Sequence, residues 1–162
     1  MKSDKSHRGN ASQFFIAGEL CRRGLVAVVT MGNCPNTDIL CSNREGTKFA
    51  HIQVKTFVPG TRTCSVGMKA EIDYGQNFFW VLGGIPIPGS PLPFEYFIIP
   101  SPVMAREVAS GHQSWLQAVG RKGQARREST IRIVDLPPFC VGRRWDISDY
   151  KNRWDLIEQK LK

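Results

Sequence analysis

The stretch 47–57, "TKFAHIQVKTF", alternates side-chain character residue by residue, and its reading organises the rest of the chain. Successive side chains of a strand point to opposite faces. Ala50, Ile52 and Val54 therefore line one face suited to burial, while His51, Gln53 and Lys55 project together from the other. One face is core, and the other is either water or a site.

Upstream, the β-branched run "LVAVVT" (25–30) and the short apolar run "DILCS" (38–42) flank the breaker-rich "MGNCPNT" (31–37), and "NREG" (43–46) reads as a turn. Residues 25–57 are thus expected to form a three-stranded meander. A helix is expected over about 11–23, capped by Asn10 or Ser12, because Phe14, Ala17, Leu20 and Cys21 fall near helical spacing and Gly24 stands at the stop. Glu19 lies on the flank of that apolar stripe. Residues 1–9 read as a mobile basic arm preceding a single domain, 10–162.

Downstream, "TRTCSVGMKAEIDYG" (61–75) is ambiguous between a short helix and an irregular crossover. "QNFFWVLGG" (76–84) is apolar enough to be a strand buried on both faces. "GGIPIPGSPLP" (83–93) is a stiff hairpin loop leading into the strand "FEYFIIPS" (94–101). A helix over 102–117, a basic loop over 120–130, a short strand within "TIRIVDL" (130–136) and an amphipathic helix over 148–161 complete the order. In the last helix Tyr150, Trp154, Ile157 and Leu161 share the apolar stripe. The sum is one mixed α/β domain with a mixed sheet.

Composition limits the alternatives. A chain of 162 residues buries roughly 70% of its unfolded surface and needs no covalent staple. Its five cysteines, Cys21, Cys34, Cys41, Cys64 and Cys140, include no C-x-x-C pair, so buried or semi-buried free thiols are expected in place of a disulfide framework or zinc site. No apolar run approaches the ~20 residues of a membrane span, and the polar N-terminus lacks the apolar run of a secretory signal. A cytoplasmic protein is the expectation. Lys and Arg total 22 against 14 acidic residues, and the resulting +8 is compatible with a polyanionic partner.

Metal-assisted phosphodiester hydrolysis needs hard oxygen ligands around an ion and a cation beside the attacking water or the phosphoryl group. Asp38 opens the strand before the turn, and pairing across that turn brings it beside Gln53 and Lys55. The order Glu19, Thr37-Asp38-Ile39-Leu40, Ile52-Gln53-Val54-Lys55-Thr56 resembles the PD-(D/E)XK nuclease superfamily, which includes many restriction enzymes, Holliday-junction resolvases and some homing endonucleases. The resemblance covers about residues 11–57, with the strands of 76–84 and 94–101 similar to later strands of the family.

The resemblance implies a restriction-endonuclease-like mixed β-sheet flanked by helices with an α-β-β-β-α-β core. It implies a DNA endonuclease using Mg²⁺ or Mn²⁺, with Asp38, Gln53, Lys55 and Glu19 as catalytic positions. The metal ligands would be Asp38, Gln53, Glu19 and the main-chain carbonyl of Val54. Thr37 stands where the motif has Pro, and Gln53 replaces the usual acid, so one negative charge is missing. A double-strand cutter would work as a homodimer or higher oligomer.

Each residue also has an ordinary reading. Asp38 suits a strand start, and Glu19 can pair with Arg22 or Arg23. His51 shares the face of Gln53 as a candidate base or substrate contact. Arg121, Lys122, Arg126, Arg127, Arg143 and Arg144 are candidate contacts to a DNA backbone, whereas Trp115, Trp145 and Trp154 read as packing residues. The rival function is a non-catalytic nucleic-acid-binding or scaffold module that keeps the nuclease frame.

Overall fold

The computed structural model describes residues 5–31, 34–120 and 122–162. Helix α1 (Lys5–Arg22) leads into strands β1 (Val26–Val29), β2 (Ile39–Ser42) and β3 (Phe49–Phe57), then a short strand β4 (Thr63–Ser65) and a 3-10 turn (Met68–Glu71). Strands β5 (Phe78–Gly84) and β6 (Glu95–Pro100), helix α2 (Ser101–Gln117), strand β7 (Ile133–Asp135), a second 3-10 turn (Ser148–Tyr150) and helix α3 (Asp155–Leu161) follow.

The sheet runs β1-β2-β3-β5-β6. Its first three strands form the expected antiparallel meander. Strand β5 then joins β3 in parallel and β6 antiparallel, so the sheet is mixed. A parallel neighbour requires a crossover, and the ambiguous segment 61–75 supplies it as β4 and the first 3-10 turn, with no α-helix.

Period-two alternation sorts two cores onto the two faces of this sheet. Ile39, Cys41, Ala50, Ile52, Val54, Phe79, Val81 and Ile98 pack with Ile16, Ala17 and Leu20 of α1 and with Trp154, Ile157 and Leu161 at α3. On the opposite face Phe57, Phe78, Trp80, Leu82, Phe97 and Ile99 pack with Met104 and Val108 of α2 and with Cys64 and Val134 of the β4–β7 ribbon. Strand β5 is buried along its whole length, as its continuous apolar run predicts.

Three expectations are corrected. The described part of the first helix already includes residues 5–9, so it is longer than the expected 11–23 at its N-terminal side, and neither Asn10 nor Ser12 is its cap. Ser12 is fully buried beside Gly83, in the helix interior. The last helix is interrupted, because Asn152 adopts a positive φ of 55° between the 3-10 turn and α3. Trp154, Ile157 and Leu161 are nevertheless buried as the stripe predicts. Among the cysteines, Cys41, Cys64 and Cys140 are buried, but Cys21 and Cys34 are exposed. No helix among the described residues is long and apolar enough to cross a membrane.

Where β5 ends, Gly84 lies against the Phe57 ring: a Cβ there would sit 2.7 Å from Phe57 Cζ. Gly84→Ala is therefore expected to destabilise the fold by about 1–3 kcal/mol through overpacking. Urea unfolding reads the loss as a lower midpoint at unchanged slope.

Candidate active site

Asp38 is placed by a bend in the chain just before β2. Its amide donates to the Ile52 carbonyl over 2.9 Å, although Ile52 is already the partner of Ile39. Two consecutive residues thus oppose one, the arrangement of a β-bulge, which re-aims a side chain. From the other side the Thr30 amide donates to the Asp38 carbonyl over 2.9 Å. The carboxylate is turned onto β3, where Oδ2 accepts the Val54 amide at 2.7 Å and a short hydrogen bond from Gln53 Nε2.

Only the nitrogen of the Gln53 amide can donate to a carboxylate, so its Oε1 is left available. The second carboxylate oxygen, Asp38 Oδ1, likewise makes no hydrogen bond among the described residues. Burial pushes the Asp38 carboxyl above its ordinary range, opposed by the Val54 N–H and by the positive charge of Lys55.

Lys55 lies two residues further along the same face, with its ammonium 5.9 Å from the centroid of the Trp80 ring. That position keeps a cation over an aromatic face beside the Asp38 carboxylate. Beneath it, burial raises the Cys64 thiol to about 12, with the Lys55 charge opposing the shift. Cys64 is therefore an inert neutral group under the site.

Glu19 is not in this cluster. It belongs to α1, which packs on the face of the sheet opposite Gln53 and Lys55. Its carboxylate accepts Arg22 Nε at 2.7 Å and Arg23 Nε at 2.9 Å, and Arg23 continues to Glu158 at 3.0 Å. The ordinary reading of Glu19 is the one realised, and the expectation that it joins Asp38 is corrected. Among the described residues no three His, Cys, Asp or Glu side chains surround a common point. The groups that act on the Asp38 carboxylate are the Gln53 amide, the Val54 N–H and the Lys55 charge.

The oxygens this cluster offers beyond its hydrogen bonds are hard ones: Asp38 Oδ1, Gln53 Oε1 and, between Gln53 and Lys55, the Val54 carbonyl. This set suits Mg²⁺ or Mn²⁺, which are content with one or two protein carboxylate or carbonyl ligands and several waters.

The basic residues divide. Arg144 donates to the Ser110 carbonyl at 3.0 Å and to Ser114 Oγ at 2.7 Å, fastening its loop to α2. Arg126 lies over the Trp115 ring at 4.8 Å and donates to the Trp115 carbonyl at 3.1 Å, where the helix terminus leaves carbonyls free. Arg143 pairs with Asp135 at 2.8 Å. Lys122 and Arg127 are exposed and their side chains have no partner among the described residues, and Arg121 lies outside those residues.

Sequence reasoning missed Arg132, which is only 5% exposed, pairs with Glu71 at 2.5 Å and also meets Glu128 at 3.2 Å. Its sole sequence signal is a charge inside an apolar alternation, "TIRIVDL". It lines a cavity of about 570 Å³ between α2, β7 and the 143–145 segment.

No family model matches the sequence, and no curated protein does. Among solved structures, that of a bacterial homing endonuclease, I-Ssp6803I, is similar with a TM-score of 0.56 and 16% sequence identity, covering 97% of this chain and 94% of that one. At this identity the likeness shows the fold: a mixed five-stranded sheet flanked by helices, shared with a nuclease.

Two predictions separate the carboxylates. The folded-state pKa of Asp38 is raised above its ordinary 3.8, so its ionisation costs stability as pH rises through the folded value. Asn keeps an oxygen acceptor without the charge. Asp38→Asn is expected to be at least as stable as the wild type at pH 7, with the difference shrinking below about pH 4 in urea melts; a clear loss at pH 7 would make the carboxylate structural. Glu19 has the opposite sign: hydrogen bonding to Arg22, helped by Arg23, lowers its pKa from 4.5. Its contribution is present above that value and lost as pH falls through the lower folded one. Glu19→Gln should cost about 0.2–1 kcal/mol at neutral pH, and the difference should vanish in strong acid.

Proposed function

We propose that this chain is a metal-dependent endonuclease of PD-(D/E)XK type that hydrolyses DNA phosphodiester bonds, with Gln53 in the second acidic position. The observation that carries the reading is the Asp38 carboxylate turned onto Gln53 and the Val54 amide, with Lys55 on the same face of β3. The likeness in fold to a homing endonuclease supports it.

Asp38 and Gln53, with the Val54 carbonyl, would hold Mg²⁺ or Mn²⁺. A bound ion would polarise a phosphoryl oxygen and lower the pKa of a coordinated water. Lys55 supplies a fixed positive charge that orients the attacking water and stabilises charge developing on the phosphoryl group, a contribution of positioning and electrostatics. Gln53 orients the Asp38 carboxylate while adding no negative charge to repel a phosphate. One site cuts one strand, so cleavage of both strands calls for a homodimer or higher oligomer presenting two sites.

Gln53 in place of an acidic residue favours a second reading, a DNA-binding module without catalysis. Purified protein incubated with supercoiled and branched DNA in Mg²⁺ or Mn²⁺ decides between them. Nicking or linearisation is expected, and Lys55→Ala is expected to reduce the rate by on the order of 10²-fold or more. Equal cleavage by wild type and variant would sink the assignment. A Mn²⁺ isotherm in calorimetry that disappears in Asp38→Ala would rule out the non-catalytic module.

A further inference from the structure

His51 begins the polar row that continues through Gln53 and Lys55, and its ring is exposed. It is also held. Nδ1 lies 3.1 Å from the hydroxyl of Thr37, the buried residue that immediately precedes Asp38. The imidazole plane is within 6° of the buried Phe78 ring, which is itself stacked on Tyr74 at 4.6 Å. An exposed strand histidine with no task would be expected to rotate freely, whereas this one is tied to the residue beside the site carboxylate.

The hydrogen bond fixes which nitrogen faces outward. Nδ1 is engaged by the Thr37 hydroxyl, and Nε2 makes no hydrogen bond among the described residues, so the ring presents Nε2 to the outside. In the tautomer where the Thr37 hydroxyl donates to Nδ1, Nε2 carries the hydrogen and is an oriented donor.

We propose that His51 is a substrate-binding residue whose Nε2–H donates to a non-bridging phosphate oxygen of the nucleic-acid strand beside the scissile phosphodiester. It sits two residues from Gln53, about 6.6 Å along β3, and on the same face, so it addresses the same strand at a neighbouring position. The contact goes to the backbone and is indifferent to base sequence. Thr37 is the positioning residue that fixes the ring. This rests on the endonuclease reading above.

The experiment compares wild type, His51→Ala, His51→Gln and Thr37→Val in Mn²⁺-dependent plasmid cleavage, with binding to three unrelated duplexes measured by anisotropy without divalent metal. His51→Ala should raise KM and the duplex Kd on the order of tenfold, equally for all three sequences, while kcat changes much less. His51→Gln, which retains an N–H donor, should recover part of the loss, and Thr37→Val should fall between wild type and His51→Ala. The His51 variants should melt close to wild type, since the ring is exposed.

Unchanged KM and Kd in His51→Ala, beside a wild type that cleaves, overturn the His51 contact and leave the endonuclease reading standing. A kcat loss at unchanged KM and Kd likewise overturns it in favour of a chemical role. If the wild type binds but does not cleave, the endonuclease reading fails, and the Kd arm alone decides the phosphate contact. A wild type that neither binds nor cleaves overturns both.

Discussion

Strand β3 is the constraint on which the molecule depends. It pairs antiparallel with β2 and parallel with β5, so both edges of its backbone are spoken for. One of its faces is sealed beneath α1 and α3, and on the other face Phe57 is the β3 residue that joins the core formed with α2 and the β4–β7 ribbon. Because the side-chain period is two, a slip of one residue would bury Gln53 and Lys55 and expose Ile52 and Val54. The apolar face therefore locks the register, and the register delivers the polar row to the open side. Hydrophobic burial on one side of a strand is what positions the chemistry on the other.

Within that frame the candidate site carries little negative charge. Asp38 is half-buried and its carboxyl is raised by that burial, a cost the fold bears with one main-chain donor, one amide donor and a nearby lysine. A second carboxylate at position 53 would add like-charge repulsion at a site already short of solvent. Gln53 avoids it and supplies a hydrogen bond in its place. The bulge aims the Asp38 carboxylate at β3, and Lys55 rests with its ammonium over the Trp80 ring.

The basic excess is distributed less simply than its sum suggests. Three of the arginines in the 120–144 region secure loops to α2 and β7, and Arg132 forms an ion-paired staple between the first 3-10 turn and β7. Guanidinium groups suit this task because their planar fork reaches several carbonyls or a carboxylate at once. Net charge describes the field around the protein, and the tertiary structure decides which cations remain free to use it.

Much was legible from local patterns. The meander of 25–57, the buried strand at 78–84, the hairpin after it and the approach of Asp38 to Gln53 all follow from periodicity, turn residues and chain order, which are short-range properties. The start of α1, the break at Asn152 and the absence of an α-helix in the crossover were not legible, because they depend on long-range partners: Asn152 donates to the Tyr96 carbonyl, and β4 of the crossover pairs with β7. Glu19 is the clearest case. Its spacing along the chain allowed it to approach Asp38, yet its side of the sheet forbids it, and a sequence records order but not which face of a sheet a helix covers. By itself the sequence determined which side chains share a strand face; only the tertiary structure decided which carboxylate meets that face, because that depends on where a packed helix can bury its apolar stripe.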